Sequence, residues 1–189
     1  MQPVFVLSLY LIMKRSFFII LIFLSVLSGC KKDVTPGTSG TVTINNNGGF
    51  NQQFQTYFVH GFLFSKAKLV STLDTPSPDI TIDNDGTLAN LILQTNNFKN
   101  SFYKVGEYPD EAAAQQAFNR LTSANIPQWV VWADSLKVNQ VWLYKSGTDH
   151  YAKIRIVNTV SKDSIPKNYA ECTFEWVFQP DGSLTFPGK

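Results

Sequence analysis

Few side chains in this sequence combine a reactive type with a spacing that would let them react, and the clearest is a thiol. Leu27-Ser28-Gly29-Cys30 fits a lipobox, at which a signal peptide is cut before the cysteine and the sulfur acquires diacylglycerol. The other cysteine, Cys172, lies on the apolar side of an alternating run, where a free thiol behaves as a small hydrophobe. With Cys30 lipidated, no disulfide is open to it. His60 and His150 are the only histidines and the two candidate ligand-contacting imidazoles. Asp149-His150 pairs a carboxylate with an imidazole, but a hydrolytic triad needs a nucleophile on a strained turn, and none is marked. No glycine-rich phosphate loop, HExxH, CxxC or GxSxG occurs. A binding protein, not an enzyme, is expected.

The segment ahead of Cys30 explains how the thiol would reach its lipid. Met13-Lys14-Arg15 is a basic start and Phe17 to Leu27 an apolar run broken only by Ser25, shorter than the ~18 to 20 residues that cross a bilayer as a helix. Residues 1–29 are therefore a lipoprotein signal peptide. Residues 1–12 are apolar and uncharged, the wrong order ahead of a basic pair, so Met13 is read as the true start. A membrane hairpin turning at Lys14 and Arg15 is the competing reading, and it must contend with a well-formed lipobox. Residues 30–40 are the lipidated cysteine and a polar Pro/Gly/Ser tether, and residues 41–189 make one domain. Asp33 alone among two lysines does not say which membrane face the anchor occupies.

Charge narrows the partners. The formal net charge of +2 is carried by Lys14 and Arg15, so the chain from Cys30 onward is neutral. Neutrality argues against nucleic acid and against a polybasic membrane patch. A monomer held to the membrane by lipid is expected.

The elements that must position these residues are strands. From Ala170 to Phe178 the chain alternates apolar (Ala170, Cys172, Phe174, Trp176, Phe178) with mostly polar residues, the period of a strand with one buried face. Gln140–Tyr144 and Tyr151–Val157 are two further strands joined at Ser146-Gly147-Thr148-Asp149, and Gln179-Pro180-Asp181-Gly182 turns into a short returning strand at Ser183–Phe186. Upstream, Thr41–Ile44 is a short strand, Asn45 to Gly49 a tight turn, and Phe54–Phe64 an aromatic strand with Gly61 as a bulge. Strands follow at Ala67–Ser71, Ile80–Ile82 and Leu88–Leu93. Asp83-Asn84-Asp85-Gly86 has the wrong glycine position and no twelfth-position Glu for an EF-hand, and is read as a hairpin turn. Residues 109–122 form the one helix: Pro109 and Asp110 start it, and Ala114, Ala117, Phe118 and Leu121 make a narrow apolar stripe. Trp129 to Trp132 is a short strand or an extended loop. Trp129, Trp132, Trp142 and Trp176 either fill a core or line a flat-ligand cleft, and core filling is favoured. The fold class is mainly β: one antiparallel β domain of about eight to ten strands with a single short amphipathic helix.

QVWLYKSGTDHYAKIRI, AECTFEWVFQPDGSLTF and, upstream, GFLFSKAKLVS resemble the HmuY-like haem-binding lipoproteins, best over the last third of the chain. The resemblance implies an outer-membrane, lipid-anchored protein that catches haem for an outer-membrane transporter. In the best-known members two histidines, or apparently two methionines, hold the iron from mid-domain positions. Ile80 to Leu136 here contains neither, and both methionines lie in the leader. If haem binds, His60 and His150 are the residues left to carry it, or a tyrosine among Tyr57, Tyr103, Tyr108, Tyr144, Tyr151 and Tyr169. The alternative is a surface interaction or scaffold module that kept the fold and lost the haem ligands.

Overall fold

A computed structural model describes residues 37–96, 99–165 and 167–188; residues 1–29, read above as a signal peptide, and Cys30, read as the lipidation site, lie outside them. The expected antiparallel β domain is present. Its main sheet has five strands in the order β1-β10-β9-β8-β7. These are β1 (Ser39–Asn45), β7 (Phe102–Glu107), β8 (Gln140–Lys145), β9 (Tyr151–Lys162) and β10 (Tyr169–Gln179). A three-stranded sheet holds β2 (Gly48–Asn51), β3 (Thr56–Leu63) and β4 (Lys68–Ser71), and a two-stranded one holds β5 (Thr81–Asn84) and β6 (Leu91–Gln94).

The β8–β9–β10 meander is the expected one, and the alternation in β10 does what its period requires. Ala170, Cys172, Phe174, Trp176 and Phe178 all join the larger core, with Phe62, Phe64, Ile80, Leu93 and Tyr144 packed beside them. Burial pushes the Cys172 thiol well up, so it is an inert packing group. Trp142 and Trp176 are core residues, whereas Trp132 is exposed.

The other face of the main sheet is covered by α1 (Glu111–Arg120) and the chain that follows it. The side chain of Asp110 accepts a hydrogen bond from the Ala113 amide and caps the helix start. Ala114 and Phe118 are buried, and Phe118 packs with Val141, Leu143, Val177 and Phe186. The sheet is thus covered on both faces over its central strands.

Several local readings are corrected. Gly48 and Gly49 are strand residues in β2, and the hairpin turns four residues later, over 52–55. Asn46 is buried, because its side chain bridges strands instead of turning the chain. Gly61 sits in a regular β3–β4 ladder without a bulge. What demands glycine there is a close approach: a Cβ would lie 2.3 Å from the Ile80 carbonyl oxygen. Ser183–Phe186 is not a strand; it makes a single bridge from Thr185 to Ser123, and Phe186 is buried under α1. Residues 129–132 are an extended loop with a bridge from Val130 to Phe102. The strand β7 was not anticipated; its alternation is short and is cut by a register shift between Lys104 and Gly106.

Candidate functional site

The two histidines do not form one site. His60 is exposed on β3, opposite Ser71, with its ring edge-on to Phe58 at 5.6 Å. His150 precedes β9, shares a hydrogen bond between its Nδ1 and Thr148 Oγ1 (3.0 Å), and stands edge-on to Phe178 at 6.0 Å. Each contacts its own local neighbours, and no hydrogen bond or ring contact joins them. Among the described residues no group of three or more His, Cys, Asp or Glu side chains could hold a metal ion.

His150 does border a half-buried carboxylate, that of Asp79. Asp79 Oδ2 accepts from the Phe64 amide (2.8 Å), and the Tyr144 hydroxyl donates to Asp79 Oδ1 (3.1 Å). Burial raises the Asp79 carboxyl above its ordinary value, against the lowering effect of these hydrogen bonds and of nearby His150. The same surroundings and the adjacent Asp79 push the Tyr144 phenol up, and its ring is buried in the core with its hydroxyl donating to Asp79. Phe64 stacks between Tyr144 (5.3 Å) and Phe178 (6.0 Å), so this cluster is a filled wall.

The concave feature lies elsewhere, at the end of the sheet where β1 stops and β9 turns into β10. A cleft of about 680 Å³ opens between the β2–β3 hairpin and the loop preceding Tyr169. This is within the size range of small-molecule and cofactor sites. The hairpin side carries Phe50, Tyr57 and Phe58, and the loop side Ile165, Lys167 and Tyr169. Phe50 and Tyr57 face each other across the ladder, edge to face at 4.9 Å. Phe58 lies over Gly49, where a Cβ would come within 2.8 Å of the ring. Gly49 therefore lets an aromatic ring lie flat on the backbone.

A polar network holds the loop side in place. Asn46 Nδ2 donates to Asp83 Oδ1 (3.0 Å) and to the Asn168 carbonyl (2.8 Å), while Asn46 Oδ1 accepts from the Ala170 amide (2.9 Å). Asn84 Nδ2 adds a second bond to the Asn168 carbonyl, and Lys167 pairs with Asp83 at 3.5 Å. A satisfied buried side chain tying three segments together is the usual way to fix a loop at a site. The Tyr169 hydroxyl donates to Glu171, and its phenol is pushed up to about 12 by that bond, by burial and by the Glu171 charge.

Of the six tyrosines named from the sequence, Tyr57 and Tyr169 line this cleft, and neither histidine does. The rest of its walls were missed. Gly48-Gly49 and Asn46, the middle of Asn45-Asn46-Asn47, looked like turn residues, and Ile165 and Lys167 sit in a loop without periodicity. An aromatic side opposite a side with one lysine, itself paired with Asp83, is visible only once the hairpin and the loop meet. No family model, curated protein or solved structure matches this chain.

Proposed function

We propose that this chain is a lipid-anchored envelope binding protein of the HmuY type, non-catalytic, whose ligand is a flat, mainly apolar molecule held in the cleft between the β2–β3 hairpin and the Ile165–Tyr169 side. The observation that supports it is the cleft itself: an aromatic wall opposite a single lysine. Aromatic faces on Phe50, Tyr57 and Phe58 would stack a planar ligand, and Lys167 would meet an acidic substituent at its edge. Anchoring at Cys30 on the outer membrane would place the domain where a transporter could receive the ligand.

Haem fits this reading as a stacked planar ligand and less well as a ligated one. The cleft holds no histidine, and a tyrosine ligand binds iron as phenolate, which the raised Tyr169 phenol disfavours. A surface interaction module is the second reading. It is favoured by the exposure of Tyr57 (81%) and Ile165 (96%) at the cleft rim, apolar area of the kind that marks protein contacts.

The test titrates hemin and metal-free protoporphyrin IX into the detergent-solubilised full chain. Stacking predicts similar affinities for both, a broad Soret band indifferent to His60→Ala and His150→Ala, and at least a tenfold loss with Tyr57→Ala. A sharp low-spin spectrum abolished by either histidine change would replace this reading with ligation by His60 or His150. Absence of binding to either porphyrin would favour the interaction module. Labelled-lipid incorporation abolished by Cys30→Ser checks the anchor.

A further inference from the structure

A second groove, of about 380 Å³, runs between β1 and β4 and is formed by two sheet edges, with none of the cleft's lining residues in its walls. β1 is the last strand of the main sheet and β4 the last of the three-stranded sheet. Backbone parity decides which groups face into the gap. The Phe178 amide donates to the Thr38 carbonyl (2.7 Å) and the Asn46 amide to the Ala170 carbonyl (2.9 Å). In an antiparallel ladder the inward-bonding residues alternate, so even-numbered residues of β1 bond β10, and Ser39 and Thr41 direct their amides and carbonyls away from it. On β4 the Thr72 amide donates to the Val59 carbonyl (2.9 Å), which by the same alternation turns Leu69 outward. Ser71, the other outward residue of β4, is already bonded to Asp74.

The floor of the groove adds a second, independent feature. Trp176 is 3% exposed and lines the gap, yet its indole N–H has no hydrogen-bond partner among the described residues. Gly40 lies directly over this ring, its absent Cβ 3.5 Å from Nε1, so the donor is uncovered on that side. The indole nitrogen is not sealed from solvent, so an acceptor entering the groove can reach it. Phe62 completes the floor, and Lys68 stands at the rim without an acidic partner among the described residues.

We propose that this groove binds an extended peptide from a partner protein by strand addition to β1. Its backbone would pair with Ser39 and Thr41, an inward threonine or serine would give its hydroxyl oxygen to the Trp176 indole N–H, and an acidic residue would meet Lys68. Main-chain pairing supplies affinity in this mode, and the inward side chains supply specificity. The site is independent of the aromatic cleft.

The test uses the acetylated, amidated heptapeptide Asp-Thr-Val-Thr-Val-Thr-Asp and the same peptide N-methylated at alternate amides. Indole and backbone N–H resonances of the detergent-solubilised full chain are followed by NMR, with Trp176 assigned through Trp176→Phe. Saturable movement of the Trp176 indole, with slowed exchange at Ser39 and Thr41, is expected for the first peptide only. Thr41→Pro deletes the outward amide but leaves the β10 pairing, as proline does on an edge strand, and should weaken binding at least tenfold while keeping a dispersed spectrum. Gly40→Val, which fills the space over the indole at ordinary contact distance, should do the same. Equal binding of the N-methylated peptide, unaltered binding by Thr41→Pro, or no response at millimolar peptide would overturn the proposal. So would concentration-dependent movement of the same resonances without peptide, which would assign the edge to a second copy.

Discussion

Replacing Lys153 by methionine tests how a charge is held inside this domain. Lys153 is 1% exposed on β9, on the face covered by α1. Its ammonium donates to the carbonyls of Phe118 (2.9 Å), Leu121 (3.1 Å) and Pro187 (3.3 Å), and lies 4.9 Å from the Phe118 ring centroid. Two of these carbonyls belong to the end of α1, where orphan acceptors and the negative end of the helix dipole favour a cation. Methionine keeps the length and apolar stem, so packing is nearly conserved. What is lost includes these three charge-assisted bonds at ~1.5 to 3 kcal/mol each, leaving carbonyls unsatisfied; what is recovered is several kcal/mol of ammonium desolvation. The bonds exceed the recovered desolvation, and Lys153→Met should destabilise by about 2 to 4 kcal/mol. Urea unfolding followed by far-ultraviolet circular dichroism should show an unchanged slope and a midpoint lowered by roughly 1 to 2 M, given a slope of ~2 kcal/mol/M. Amide exchange should speed first over the last turn of α1. Equal or greater stability of the methionine variant would refute the reasoning and mean that desolvation outweighs the three bonds.

Trp176→Ala removes a ring that packs against Phe62 at 5.0 Å and Phe64 at 5.8 Å, and should cost roughly 3 to 5 kcal/mol by the same assay. Gly61→Ala should destabilise by about 1 to 3 kcal/mol, since its Cβ would press on the Ile80 carbonyl; a neutral result would show that β3 and β5 can separate freely. The raised Asp79 carboxyl makes the folded state bind more protons than the unfolded one between the ordinary value of 3.8 and the folded value. Stability therefore falls as pH rises through that window, and carboxyl-carbon NMR should place the Asp79 midpoint above 3.8; a midpoint below it would mean the Phe64 and Tyr144 bonds outweigh burial.

The sequence by itself determined the elements whose signal is local. The alternation from Ala170 to Phe178 specifies a strand with one apolar face, and the Ala114, Phe118, Leu121 spacing specifies a helix that must lie on something. Asp110 carries its own hydrogen-bonding preference and caps the helix as read, whereas of Asp83-Asn84-Asp85-Gly86, read as a turn, Asp83 and Asn84 belong to β5 and the connection runs on from Asp85 to Asn90 before β6 begins at Leu91. Tertiary structure decided whatever depends on which segments meet. β1 pairs with β10 across most of the domain, and nothing within Ser39–Asn45 names that partner. Lys153 and Arg155 look like the solvent side of an alternating strand, yet both are buried, because α1 covers that face and brings carbonyl oxygens to one and Glu175 lies within 3.0 Å of the other. The aromatic cleft and the β1–β4 groove are boundaries between segments far apart in the chain. Residue type sets what each wall can contribute, but opposing walls come into being only when loop closure and core burial have fixed the strands around them.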